Sequence, residues 1–401
     1  MHGLVRSREE GDNMEKEVEY GVFIPVGEGG WIRSTTAPPV PATYAYNRQV
    51  AILAEQLGLD FLLAMAKWRG FGGASNHWDT TLESMTVMTA LAEVTTRVRL
   101  IPTVHTLAFN VALVAKIMAT LDQIAHGRAG LNVVSGWFRD ELGQMGLWPE
   151  HISHAERYTV AREWVQALKC LWQEDRVTFH GRYVHLEDCV SNPKPLQKPH
   201  PPIICAGNSD TGLRFTVEVA QASFINAPTH AEAIATSRRA KQIAAQIGKP
   251  IKTYAMVMII PGQTDAAARA RMESYNKGVD MIALQAGVAS HLHEIQHAQA
   301  HGEAVVPTLQ RRVDRATVPD PYIPGSPYVG SAVSIAQQLQ EVIMDGDFDG
   351  FVLTFPDFIA DLQFFGQRVL PLMVDAGFAR PLHHVAPTAE AHADARSALD
   401  V

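Results

Sequence analysis

The sequence predicts a (β/α)8 TIM barrel with insertions, an α/β fold, and three observations carry that expectation. Eight short apolar runs alternate with amphipathic segments along the 401 residues, the pattern of a closed parallel barrel. No GxGxxG follows the first run, which sets aside the doubly wound open sheet, the next candidate. The chain is 47% hydrophobic and 19% charged, which suits one large core.

The elements follow in order. Val18–Ile24 is the first strand and Ala42–Leu57 its helix. Asp60–Met65 precedes the helical pattern Thr80–Thr95. Val98–Thr103 precedes Val111–Ile124, where Val111, Val114, Ile117, Met118, Leu121 and Ile124 keep the 3.6-residue period. Ala129–Ser135 is followed by Ala155–Trp172, Pro202–Ala206 by Gly212–Ala222, and Ser223–Asn226 by Ala231–Ile247. Thr253–Ile260 leads into Asp265–Ala286, then Ser331–Ile343, and Gly350–Phe355 into Phe358–Val374.

Two stretches break the rhythm. Residues 173–201 run from a polar segment into the Pro-rich Asn192–Pro202 and read as a hairpin or loop excursion over the barrel. Residues 288–328 carry Pro307, Pro319, Pro321 and Pro324, and a connection this long is usually a lid or mobile segment. The barrel is expected over 18–378. Residues 1–17 are charged without an apolar centre, an extension rather than a signal peptide. The Ala-, His- and Pro-rich 379–401 reads as a flexible tail.

Charge and cysteine usage narrow the function. A net charge of -8 argues against nucleic-acid binding. Cys170, Cys189 and Cys205 show no CxxC spacing, which points to a reducing cytoplasm and away from a disulfide framework or cysteine zinc site. No apolar run reaches ~18 residues, so no membrane helix is expected.

The candidate site lies at the C-terminal ends of the strands, where such barrels place it. Gly130-Leu131-Asn132-Val133-Val134-Ser135-Gly136-Trp137 begins as a strand and ends on turn formers. Strand alternation puts Asn132 on one face with Gly130 and Val134. Buried there, its amide needs a partner, which is either neighbouring backbone or a ligand. Met65-Ala66-Lys67-Trp68-Arg69-Gly70-Phe71-Gly72-Gly73 gathers cations, aromatics and glycines in one loop, a clamp for a planar anionic ligand or a solvated basic loop. The Thr103 hydroxyl, at the end of the third strand, is placed to donate to a ligand or to cap a turn. Ser209 opens a helix as an N-cap or as part of a phosphate cradle. Asp210 beside it opposes a phosphate unless a cation is near, a role open to Arg157 with Tyr158.

His293-Glu294-Ile295-Gln296-His297 matches HExxH, the helix motif of zinc hydrolases. His291 and His301 flank it, the longer metzincin pattern is absent, and the stretch falls in the irregular insertion. The expectation is therefore a chance match on a surface insertion, with no metal. A zinc-dependent hydrolase using His293, Glu294 and His297 stands as an alternative, as does a non-catalytic flavin- or deazaflavin-binding barrel. Neither a GxSxG elbow nor a P-loop occurs.

Further landmarks are Gly21-Val22-Phe23-Ile24-Pro25 with Gly30-Trp31, Ser34-Thr35-Thr36-Ala37-Pro38, Trp78-Asp79, Leu82-Glu83-Ser84, Gln144-Met145-Gly146, Cys205-Ala206-Gly207 and Leu353-Thr354-Phe355. With the loops above, they make the chain resemble the bacterial luciferase-like flavin monooxygenases, and among them the pyrimidine (uracil ring-opening) oxygenase subgroup, from about Glu19 to about Met373. The resemblance implies a luciferase-like barrel that uses O2 and reduced FMN supplied by a separate NAD(P)H-dependent flavin reductase. It implies FMN contacts at Ala66, Lys67, Asn132, Glu141, Arg157, Tyr158 and Ser209. Thr103 and Asn132 fall where the subgroup holds dioxygen against flavin N5, and Met65 and Trp137 face the substrate. It also implies a homodimer or homotetramer. The segment after Asn226 and the stretch His291–Pro319 depart from the subgroup pattern, so a pyrimidine amide, a sulfone and a halogenated aromatic all stay open as substrates.

Overall fold

The computed structural model describes residues 17–303 and 327–380, together with 305, 310 and 313. The expected N-terminal extension (but for Glu17), most of the expected tail and most of 304–326 lie outside the described residues.

Twelve strands are present among them: β1 (Glu19–Phe23), β2 (Phe61–Leu63), β3 (Arg99–Ile101), β4 (Thr103–His105), β5 (Leu131–Val134), β6 (Val177–His180), β7 (His185–Cys189), β8 (Ile203–Cys205), β9 (Ala222–Ile225), β10 (Lys252–Pro261), β11 (Tyr328–Gly330) and β12 (Gly350–Thr354). The main sheet runs β3-β2-β1-β12-β10-β9-β8-β5-β4, with β11 added beside β10. Every pairing in it is parallel. Its two ends are one stretch of chain broken at Pro102, so the sheet closes into an eight-stranded barrel. All eight expected strands are there. Their core positions are buried on both faces, which is why they read as continuous apolar runs.

The break at Pro102 has a hydrogen-bond logic. Below it, Arg99 N–H donates to Asp60 C=O at 3.0 Å, as a ladder requires. Pro102 itself faces β5, where its carbonyl accepts the Asn132 N–H at 2.8 Å and it has no N–H to donate in return. Continuing the spacing would bring the Thr103 N–H onto the Ala64 carbonyl. That carbonyl accepts the Thr103 hydroxyl instead, at 2.6 Å. The Thr103 carbonyl accepts from Ser84 Oγ at 2.6 Å, and Ala66 C=O lies 3.4 Å from His105 Nε2. Above Pro102 this seam is closed by side chains.

The helices wrap the barrel: α1 (Tyr44–Gln56), α2 (Ser84–Ala92), α3 (Val111–Ile124), α4 (Arg139–Gly143), α5 (His154–Gln173), α6 (Asp210–Val219), α7 (His230–Ile247), α8 (Asp265–Lys277), α9 (Met281–Ala300), α10 (Ala332–Gly346), α11 (Ala360–Phe364) and α12 (Leu370–Asp375), the last two joined by a π-turn over Phe365–Val369. Most start on a side-chain cap. Ser153 and Glu156 form a capping box on α5.

Two expectations are corrected here. The pattern Asp265–Ala286 is two helices. The chain turns at Gly278, where a Cβ would stand 2.4 Å from Thr36 Oγ1, and Asp280 caps α9. α9 then runs to Ala300, through a stretch expected to be irregular, because the prolines that break helices all come later. The other correction concerns 173–201. It is a hairpin, β6–β7, but it packs on the flank of α5. Glu163 accepts the N–H groups of Arg182, Tyr183 and Val184 at 3.0, 2.7 and 3.1 Å.

At the N-terminal end, the barrel floor is an ionic layer around the buried Glu19 carboxylate. Glu19 accepts from Arg99 Nη2 at 2.8 Å, from Lys252 Nζ at 3.3 Å and from the Tyr254 hydroxyl. Burial works against the charge, yet Arg99, Tyr254 and Lys252 hold the Glu19 carboxyl below its usual range. Tyr254 packs on Phe61 at 5.4 Å. Gly21 makes room for the Phe61 ring, which would lie 2.2 Å from a Cβ there.

Candidate active site

The opposite end holds a cavity of about 280 Å³. One wall is aromatic. Phe23 lies 4.1 Å from Trp31 and 5.5 Å from Phe224, and Trp31 meets Trp78 edge-on at 5.1 Å. Such a surface suits a planar ring.

Facing it is a short hydrogen-bond chain whose polarity is fixed. The β4–β5 register sets Thr103 beside Asn132. A carbonyl only accepts, so the Thr103 hydroxyl must donate to Ala64. Thr103 Oγ1 then accepts from Asn132 Nδ2 at 2.9 Å. Asn132 Oδ1 is left buried with no partner, on a residue that lines the cavity. The Thr103 proton is therefore committed to the barrel wall, and the acceptor offered to a ligand is Asn132 Oδ1. One layer higher, His105 repeats the arrangement. Its Nε2 faces the Ala66 carbonyl, so the proton sits there and Nδ1 remains a buried, unpartnered acceptor. Burial lowers the His105 pKa and keeps the ring neutral.

Lys67 closes one side. Its ammonium is buried 3.4 Å from Glu141 Oε1 and ringed by Phe138, Trp137, Phe71 and Trp78 at 4.1, 4.8, 5.1 and 5.7 Å. Burial pulls its pKa down to about 8 against the pull of Glu141. Glu141 Oε1 also accepts the Trp68 N–H at 2.6 Å.

The far side is built on α6. Ser209 caps it, accepting from the Gly212 N–H at 3.1 Å. A Cβ on Gly212 would stand 2.7 Å from the Tyr158 hydroxyl, so glycine lets that phenol reach the first turn. His154 lines the same end, pushed down to about 4 by burial and by Arg157. Asp210 is neutralised by Arg239 at 2.7 and 3.1 Å. These donors at a helix N-terminus fit a phosphate ester, and the aromatic wall with the orphaned Asn132 Oδ1 fits a flavin ring.

Of the residues expected from sequence, Met65, Ala66, Lys67, Thr103, Asn132, Trp137, Tyr158 and Ser209 line the cavity. Glu141 sits behind Lys67. Arg157 is entirely buried and sits behind Glu294, to which it is paired. That placement corrects the expectation for HExxH. The motif lies on α9, over the mouth, and Glu294 and His291 line the cavity. His291 stacks on Trp137 at 5.3 Å. Its glutamate is held by an arginine, and no group of three His, Cys, Asp or Glu among the described residues is placed to hold a metal ion. Sequence reasoning missed His105, His154, His291 and Glu294 as cavity residues. A step of two from Thr103 marks His105, and a step of three from His291 marks Glu294.

The family model for luciferase-like monooxygenases matches residues 18–347. The pyrimidine monooxygenase RutA of Klebsiella variicola is 37% identical over 378 residues, covering 92% of this chain and 98% of the relative. That of Methylorubrum extorquens is 38% identical over 361 residues, covering 88% of this chain and 95% of the relative. Among solved structures, a riboflavin lyase holding modified FMN and riboflavin superposes with a TM-score of 0.79 at 20% identity, covering 93% and 94% of the two chains. A long-chain alkane monooxygenase gives 0.75 at 19%, covering 92% and 94%. No helix among the described residues is long and apolar enough to cross a membrane. With a closed parallel barrel, a site at its C-terminal mouth and matches along nearly the whole chain, this protein belongs to the luciferase-like monooxygenase family and is an oxidoreductase.

Proposed function

We propose that this chain is the oxygenating component of a two-component system. It takes reduced FMN from a separate NAD(P)H-dependent flavin reductase and, with O2, oxygenates a small planar cyclic amide of the pyrimidine type. The observation that carries the reading is the fixed chain Ala64–Thr103–Asn132, which leaves one buried acceptor facing an aromatic-walled cavity. The relatives named above, which are pyrimidine monooxygenases by name, support the substrate class.

Reduced FMN, when bound, supplies the electrons that activate dioxygen. The chain itself does four things. Ser209, Tyr158 and the first turn of α6 hold a phosphate. Phe23, Trp31 and Phe224 hold a ring flat and keep water out. Asn132 Oδ1 and His105 Nδ1 accept from N–H groups, which a cyclic amide offers and a sulfone or halogenated aromatic lacks. Thr103, bonded to Ala64 and to the Asn132 amide, fixes that amide at the strand ends, where a misplacement of about 1 Å can cost ~100-fold. The zinc-hydrolase alternative loses its general base to Arg157. Three free cysteines suit work in a reducing cytoplasm.

The test is a substrate panel run with a generic flavin reductase and 18O-labelled oxygen, read by mass spectrometry. Labelled product from a pyrimidine amide is the expected result. Flavin binding without any labelled product would instead support the non-catalytic barrel.

A further inference from the structure

Glu294 is the one part of the HExxH stretch that the mouth of the barrel uses. It projects from α9, lines the cavity, and pairs with the Arg157 guanidinium of α5. Arg157 rests on the Trp148 ring at 4.7 Å and does not line the cavity itself. Both partners are left half-satisfied. Arg157 Nε and Nη1 have no hydrogen-bond partner, and neither has Glu294 Oε2. A buried ion pair repays its desolvation only when its remaining donors and acceptors are also met. This one is built for a better partner.

The chemistry of that partner follows from what surrounds the pair. Ser209, Tyr158, His154 and Glu294 line one cavity. An anion entering there meets the Ser209 cap of α6, a ten-residue helix, and the Tyr158 phenol. It then meets the Glu294 carboxylate, with the arginine behind it. A phosphate monoester is favoured by the first groups and repelled by the last. The conflict resolves when the guanidinium changes partner. Phosphate oxygens match the planar fork of arginine with two parallel hydrogen bonds, and they would take up its orphaned N–H groups. Glu294, whose carboxyl burial already pushes up toward the neutral form, can take a proton or withdraw.

We infer that Glu294 is a resident stand-in for the cofactor phosphate: it holds Arg157 while the flavin site is empty, yields it when FMN arrives, and so sets how far the protein prefers FMN to riboflavin. This rests on the FMN reading above. A component that must accept and release flavin each cycle gains from such an exchange, because neither state leaves Arg157 buried alone.

The experiment is anaerobic equilibrium titration of the full-length protein with reduced FMN and, separately, reduced riboflavin. Three proteins are compared: wild type, Glu294→Gln, and the double variant Arg157→Met/Glu294→Gln. Glu294→Gln should tighten FMN about tenfold by removing the competing charge, and change riboflavin by less than about twofold. The double variant should lose that gain. If Glu294→Gln proves insoluble, Glu294→Asp, which draws the carboxylate back by one methylene, should tighten FMN in the same direction. Wild type that prefers FMN, with Glu294→Gln binding it no more tightly, overturns the stand-in and leaves the FMN reading intact. Equal tightening of both flavins also overturns it. Wild type that binds neither flavin overturns both.

Discussion

At the barrel floor, Glu19 is buried against Arg99, Lys252 and Tyr254, and each carboxylate oxygen has a donor. At the mouth, Lys67, His105, Asn132, Arg157 and Glu294 are buried too, yet each keeps a polar atom without a hydrogen-bond partner. Both ends bury charge inside the same wall. The floor spends its polar groups on each other and so belongs to stability. The mouth holds them open, and buried polar atoms without partners mark a place where something else binds. In barrels of this kind chemistry belongs to the C-terminal face and stability to the other.

The contrast breaks most plainly at the floor. Glu19→Ala should lower unfolding stability by ~3 kcal/mol, discounted for the partly exposed Arg99 and Lys252, as read by urea denaturation. Flavin affinity should stay at the wild-type value. A matching loss of flavin binding would mean that the two ends are not separate.

Asn132→Ala is the converse. It should cost only ~1 kcal/mol, since an unsatisfied acceptor leaves with the side chain. It should cut oxygenated product per reduced flavin consumed by ~100-fold. Thr103→Val should act likewise, because it frees the Asn132 amide to rotate. Reduced flavin would still be oxidised, releasing peroxide. Normal product yield in both variants would remove Asn132 and Thr103 from the site.

A smaller effect lies in the pH dependence of Lys67. Its pKa falls from 10.5 to about 8 through burial. Between those values the unfolded chain binds the proton and the folded chain does not, so stability from this group rises with pH across that window. At neutral pH the fold carries the cost of the charged ammonium. Lys67→Met should flatten that rise in denaturation midpoints between pH 8 and 10.5. An identical slope in the variant would show Lys67 to be better solvated than its ring of aromatics implies.

The smallest effect concerns the outer wall. Leu113 and Ile117 are exposed on α3, and a dimer paired through barrel helices would cover such a face. Leu113→Glu should lower the mass seen by light scattering at micromolar concentration while leaving both ends of the barrel unaltered. A wild-type monomer would count against pairing.

The strands were legible in the sequence because each is buried on both faces and so carries an unbroken apolar run. Asn132 was legible because it interrupts one such run. What was hidden depends on contacts across long separations. Glu294 and Arg157 lie 137 positions apart, and neither reveals the other. The start of α9 was hidden because the turn at Gly278 is imposed by Thr36 and Ser34, from another part of the chain. His105 was hidden by a boundary. The apolar run stops at Thr103, while the strand goes on facing inward to His105.

Pro102 has a consequence for how this family member can change. Elsewhere in the wall, strands are joined by backbone groups that every residue supplies, so substitution leaves the joint intact. Above Pro102 the joint is made by Thr103 and His105, with Ser84 of α2 bonded to the Thr103 carbonyl, and these are encoded choices. That strip borders the cavity. A single base change there can alter the shape and the hydrogen-bonding character of the binding site together, without disturbing a single backbone ladder. The end of backbone pairing at Ile101 thus turns a few residues of a rigid cylinder into an evolvable edge, at the place where a new substrate would first be felt.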